Sequence, residues 1–520
     1  MKKIKKLLTI GLAVLLMLCM SVSLIGCNEN NNESKHNVGS DGVCTVCEEY
    51  IPKDGVVYQI SDDGQSAEVC GYEGTDSFVV IAKEYNGLPV TTVATWAFLD
   101  CDNISRVVLS DSITTLNSAA FSCPNMTSIV LGKNITTLQD FAFSSCFRLV
   151  EIYNKSKLSI ATNSIENGNI GYYAKNIYTE PAGSKLVTDE NGYVIYSDSE
   201  KKELISYLGT ETNLILPENI TKINDFAFYD MDKVESVIIG NKVTEIGKHA
   251  FSICDSLKTV AVGDGVTYIG NEAFAYCYNL NEIRLGKKLL TIGEWAFQSC
   301  SKLKNIIVDG ENSTYASIDG NLYTKDGKKL LQYAIGKPET MVTIPTHVTT
   351  IGRGAFRYCE AITDIIIGDN VVMVDNWAFA ECKNLTNVSF GKSVGFIADI
   401  AFENTKLLNI TVDENNPEYM AENNVLYSFA NGKKYLELYA AQNTAETFTV
   451  ADDVYYINRY AFRNCDYLQN VVIGRNVYKI FSYAFVSCKN LVSVEIKNAG
   501  TIIDENAFFQ CEKLNNNETA

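Results

Sequence analysis

The sequence predicts a solenoid, one short unit repeated along the chain with its strands stacked in parallel. Three observations lead there. The dipeptide Ala-Phe occurs 13 times in 520 residues, with its Phe at 98, 121, 143, 228, 251, 274, 297, 356, 379, 402, 462, 485 and 508. Most steps are 22 or 23 residues, and the others are 85, 59 and 60. The step of 85 resolves once Asn163-Ser164-Ile165 is read as a degenerate copy, which leaves 63 residues to Phe228. Each long step is then one repeat plus an insertion of similar size. A unit this short cannot bury its apolar face alone, whereas stacked copies cover one another. The array predicted is about 14 rungs long.

One unit shows how this works. Leu257, Val260 and Val262 bracket a short strand whose apolar positions alternate, as a half-buried strand requires. Gly263-Asp264-Gly265 is a turn, Val266 and Ile269 return the chain, and Ala273-Phe274 fills the interior before Cys277. Copies in register pair as a parallel sheet, with ~4.8 Å between rungs.

These anchors resemble the BspA-like leucine-rich repeat family, whose units read approximately L-x-x-I-x-L-x-x-x-V-x-x-I-x-x-x-A-F-x-x-C. The departures are Met231 in the cysteine slot, Cys123 one residue early, and Ala401-Phe402 with no cysteine. The resemblance implies a right-handed, curved leucine-rich repeat solenoid of α/β-type repeats. Short parallel strands would line its concave face and irregular or 3₁₀ segments its convex face. It also implies Tyr-containing hairpin insertions and adhesion to host proteins or other cells.

The insertions carry Gly192-Tyr193-Val194-Ile195-Tyr196, Gly320-Asn321-Leu322-Tyr323 and Asn424-Val425-Leu426-Tyr427, each followed by a polar turn and a second apolar segment. Asp326-Gly327 between apolar runs is a hairpin signal. The expected organisation is a solenoid over 96–514 with insertions near 186–216, 310–345 and 413–449. A C-x-x-C segment and capping unit precede it at 44–95, and a polar tail follows at 515–520.

Residues 1–26 read as a lipoprotein export signal. Lys2, Lys3, Lys5 and Lys6 form a basic start, Leu7 to Leu18 an apolar run, and Leu24-Ile25-Gly26-Cys27 resembles a bacterial lipobox. The run is short for a membrane span, which needs ~20 apolar residues. Cys27 is the expected lipidation site, anchoring the chain in the bilayer through residues 27–43, a low-complexity tether. Alternatively, cleavage occurs nearby and leaves Cys27 as a plain thiol.

Charge and composition exclude some classes. With 62 acidic against 44 basic side chains and a net charge of −18, nothing would neutralise nucleic-acid phosphates. Three histidines leave little material for His-based catalysis, and no enzyme activity or cofactor is expected. Eleven of the 16 cysteines fall in the repeats. They suit either a metal or disulfide ladder or a small buried packing slot, and Met231 in the same slot favours packing. Cys44 and Cys47 could be half a zinc site with His36 or Cys70, a redox motif, or an oxidised or free pair. His249 stands where other rungs place Trp, Phe or Tyr. Asp62-Asp63, Asp452-Asp453 and Asp413-Glu414-Asn415-Asn416 read as turns, the last with a calcium alternative.

The residue between the two inward anchors of each strand faces outward. Val108, Val130, Tyr153, Ile238, Arg284, Ile307, Ile366 and Val472 form this row, a candidate binding face for a protein or glycan on the cell surface. The competing explanation is that β-branched residues suit strands. Trp and Tyr before Ala-Phe are expected mostly to pack between rungs. The reading is an exported protein on the outer face of a bacterial membrane that binds a macromolecule. A structural spacer without a ligand, or an extracellular enzyme, are the alternatives.

Overall fold

The computed structural model describes Pro52 and residues 54–179, 185–198 and 201–514. The expected export signal and tether, with Cys27, Cys44, Cys47 and the 515–520 tail, lie outside these residues. From Asp54 onward the chain forms one unit, a β-solenoid. Each regular turn lays down a first strand of three or four residues and a second of two. Thr259–Ala261 followed by Tyr268–Ile269 is an example. First strands stack in parallel with each inward anchor beside its own copy: Val237 on Val260, Val260 on Ile283, Ile283 on Ile306. This repeats a hydrophobic rung in register, so the core is continuous along a block.

The third side is built from turns. The expected 3₁₀ segments reduce, among the described residues, to Asn167–Asn169, and no α-helix occurs. In most turns two positions take positive φ instead, one two residues before the Phe and one two residues after it, as in Trp295 (59°) and Ser299 (59°). Bulky residues rarely adopt this conformation. Here backbone hydrogen bonds between rungs hold it, such as Phe251 N to Ala273 O at 2.7 Å and Phe274 N to Ala296 O at 2.9 Å. These bonds satisfy the turn's peptide groups rung by rung.

The Phe rings pile face to face inside. Phe228, Phe251 and Phe274 sit 4.6 and 5.2 Å apart, nearly parallel. The cysteine slot is also packed inside. Cys254, Cys277 and Cys382 donate their S–H to the Phe carbonyl of the preceding rung at 3.0, 3.0 and 3.1 Å. All eleven repeat cysteines are unpaired thiols. Burial pushes Cys146, Cys300 and Cys359 up to about 12, which suppresses the reactive thiolate.

The insertions, and the opening unit at 56–72, are themselves rungs. Each is a hairpin with a β-bulge at one equivalent place, beside the pairs Tyr58–Val69, Ile195–Leu204, Tyr323–Leu330 and Tyr427–Leu436. The second strand of each hairpin pairs in parallel with the next rung. Three residues further on comes a tyrosine that takes the Phe place. Tyr72 lies 5.9 Å from Phe98, Tyr207 6.2 Å from Phe228, Tyr333 4.6 Å from Phe356, and Tyr439 5.1 Å from Phe462. The array is therefore longer than 14 rungs. It divides into four blocks, each opened by a hairpin and each with its own hydrophobic core. First-strand sheets of five, five, four and three strands follow the same division.

Candidate functional site

The outward row lies on the first-strand sheets. In the second block, register places Ile215, Ile238, Ala261, Arg284 and Ile307 side by side. Ile215 and Ile238 are 72% and 50% exposed, Arg284 is exposed and Ile307 half-buried. Ile366 is 38% exposed in the third block and Val472 half-buried in the fourth. The first block differs. Val108, Val130 and Tyr153 are buried, so they present no open face. Tyr153 stacks on Tyr178 at 5.3 Å, and its hydroxyl donates to Glu151. The Arg106 guanidinium lies over both Phe78 (5.2 Å) and Tyr153 (6.0 Å). Aromatic and cationic groups gather at this part of the row, where the alternation alone gave exposed valines. Ile215 was missed in the sequence because it sits inside an insertion. Its signal was there, in Leu214-Ile215-Leu216.

The acidic turns resolve as caps. Asp63 accepts from Ser61 Oγ (2.6 Å) and Gln65 N (2.9 Å). Asp413 accepts from Asn415 N at 2.8 Å, while Asn416 Oδ1 accepts from the amides of Glu418 and Tyr419 at 2.9 Å. Asn312 does the same at the previous hairpin, so this turn launches a hairpin strand. His249 stacks on Phe226 at 4.9 Å, and burial lowers its pKa. Among the described residues, no three His, Cys, Asp or Glu side chains gather as a metal site.

The aromatic residues before Ala-Phe split. Trp96 and Phe141 are largely exposed and Phe226 is buried. Trp295 and Trp377 pack edge to face at 5.6 Å, where two blocks meet. Such seams exist because a hairpin rung reaches its Tyr in three residues and omits the reverse turn. The missing turn leaves a notch that the neighbouring rungs bridge, each time with arginine. At the first seam the fully buried Arg148 donates to Phe226 O and Tyr229 O at 2.8 and 2.9 Å, and bonds Asn125. At the same seam Phe147, Tyr173, Phe226 and Tyr229 pack against one another. Burial brings the Arg148 guanidinium down to about 10, still protonated at neutral pH.

At the third seam Arg463 pairs with Glu403 at 2.7 Å and Asn464 donates to Asn404 at 3.0 Å. Tyr460 stands beneath Arg459 and Arg463, and about 50 Å³ remains. The second seam is open, with a notch of about 470 Å³. Trp295, Tyr315, Leu322 and Leu331 form apolar walls, and Arg353, Arg357, Gln298 and Lys329 stand at its polar edge. Arg353 lies over Trp377 (4.6 Å) and pairs with Glu294 at 2.7 Å. Arg357 lies over Trp295 (4.6 Å) and donates to Gln298 at 3.0 Å. Gly354, at φ 64°, is needed here because a Cβ would meet the Trp295 ring at 2.4 Å.

Comparison with known proteins follows the same pattern. The family described as BspA type leucine-rich repeat region matches residues 79–171, 206–325, 337–431 and 436–519. No curated protein matches the chain. Similar solved structures include a leucine-rich cell surface protein from Faecalibacterium prausnitzii, at 19% identity, TM-score 0.38, covering 86% of this chain and 95% of that one. A leucine-rich repeat protein from Eubacterium ventriosum matches at 19% identity and TM-score 0.39, covering 88% and 93%. The pneumococcal vaccine antigen PcpA matches at 17% identity and TM-score 0.37, covering 88% of each chain.

Proposed function

Because the chain belongs to the BspA-type leucine-rich repeat family, we propose that it is an exported surface protein that binds another macromolecule, protein or glycan, in the manner of an adhesin. The observation that carries this reading is the outward row, where Ile215, Ile238 and Ile366 stand exposed on stacked strands. A rigid sheet presents such residues at fixed spacing, so many modest contacts act together with little ordering cost. Exposed aliphatics in a row have no role in the core, which Val237, Val260 and Ile365 already fill.

The anchor is a lipid on Cys27, with 27–43 as a tether. Mass spectrometry of the mature N-terminus checks it; a diacyl or triacyl cysteine is expected, and an unmodified Cys27 would refute it. Binding is tested with the mature chain on immobilised extracellular-matrix and epithelial surface glycoproteins. Saturable binding is expected. It should fall at least about tenfold in Ile215→Asp/Ile238→Asp/Ile366→Asp, whose exposed sites tolerate charge without unfolding. Unchanged binding by that variant removes the row from the reading.

A further inference from the structure

We propose that the open second seam is a binding site for an apolar molecule bearing one carboxylate, and that Arg357 receives the carboxylate. This goes beyond the outward row and does not depend on it. Three observations converge.

The first is space. The notch of about 470 Å³ is within the range of about 300–1,000 Å³ usual for ligand pockets. Its walls are Trp295, Tyr315, Leu322 and Leu331, so an apolar body is what it accepts.

The second is an uncompensated charge. Arg353 has Glu294 at 2.7 Å, and Lys329 has Asp375 at 3.7 Å. Among the described residues no carboxylate pairs with Arg357. Its Nη1 bonds the neutral Gln298, and its Nε is buried without a partner. A partly buried guanidinium in that state is poorly compensated, and a bidentate carboxylate is its natural complement.

The third is an internal control. Arg357 and Arg463 each directly follow the first Phe after a hairpin, Phe356 and Phe462. Their partners also correspond, since Gln298 follows Phe297 and Glu403 follows Phe402. Arg463 has its carboxylate, and its seam holds about 50 Å³. Arg357 has an amide in place of that carboxylate, and its seam stands open. Where the chain supplies the acid the seam closes, and where it does not, a ligand supplies it.

The test reads tryptophan fluorescence in a Trp96→Phe background, which leaves Trp295 and Trp377 as reporters. The mature chain is titrated with 4-phenylbutyrate and decanoate, each against its primary amide. A peptide ending in Leu-Phe is compared with free and amidated C-termini. At least one acid should give a saturable change, with its amide weaker by about tenfold to a hundredfold. A free acid that binds better than the peptide identifies a small metabolite, and the reverse identifies a protein terminus. Arg357→Met should lose the preference for acid over amide. Gln298→Glu copies the closed seam, and it should cut acid affinity by about tenfold or more while keeping the melting temperature. Equal binding of acid and amide, wild-type affinity in Gln298→Glu, or no saturation by any acid below ~10 mM would overturn the proposal.

Discussion

The rung at Phe274 and the rung at Tyr333 both hold an aromatic ring in the interior pile, but they reach it by different paths. The chain from Ile269 through Tyr276 makes a turn on the third side, with Glu272 and Tyr276 at φ 54° and 61°. It is bonded on both sides to neighbouring turns. From Leu330 to Tyr333 the chain goes straight, omits the turn, and leaves its neighbours to bridge the gap. Regular rungs therefore repeat one solution. Seams each need their own, and the three found here are a buried Arg148 with packed aromatics, an open notch, and an Arg463–Glu403 pair. Repetition makes the scaffold, and its interruptions make the places that differ from one another.

Alkaline pH should weaken the regular rungs. Burial raises Cys146, Cys300 and Cys359 to about 12, against an ordinary value near 9. For an acid raised in the folded state, stability is intact below the unfolded pKa. It falls as pH climbs from about 9 toward 12, because the unfolded thiol releases its proton first. Each such cysteine removes about 1.4 kcal/mol per pH unit in that window. Denaturant unfolding at pH 8 and pH 10 checks this, and replacement of all three by Ala should make the dependence shallower.

Next come single deletions in a rung and in a seam. Phe274→Ala empties a fully buried site between Phe251 and Phe297 and should cost about 3–5 kcal/mol. Arg148→Met leaves four acceptors at the first seam, on Phe226, Tyr229, Asn125 and Pro124, without their donor, with an expected cost of about 1–3 kcal/mol for each acceptor left buried and unpaired. The comparison is sharpened by where the loss appears. Phe274→Ala should loosen the second block alone, while Arg148→Met should loosen the first and second blocks against each other. Limited proteolysis with peptide mapping separates the two. The smallest effect has the opposite sign. The Tyr439 hydroxyl is buried without a hydrogen-bond partner, so Tyr439→Phe should leave stability unchanged or raise it by up to about 1 kcal/mol.

Much of the solenoid is legible in the sequence, because one apolar pattern repeats with its Ala-Phe and cysteine anchors. The hairpins are legible as hairpins, from turns such as Asp326-Gly327, but not as rungs. Leu330-Leu331-Gln332-Tyr333 holds its tyrosine at a spacing no Ala-Phe unit shows, so nothing local says the ring joins the same pile. The positive φ of Tyr276 runs against the preference of its residue type and is held by its amide's bond to Gln298 O in the next rung. Alternation in Arg106-Val107-Val108 correctly puts Val107 inside, yet Val108 on the other face is buried too, which alternation cannot give. The second seam is a meeting of Trp295 with residues 58 and 62 positions on, Arg353 and Arg357, and no motif announces it.

If seams interrupt an otherwise continuous stack, the four cores should open as separate units. Native-state hydrogen exchange read by mass spectrometry tests this most directly. The account predicts shared protection for amides within a block, with steps at the hairpins near 193–207, 321–333 and 425–439. Uniform protection from Val56 to Leu514, or a smooth decline from the two ends with no step at a hairpin, would contradict it.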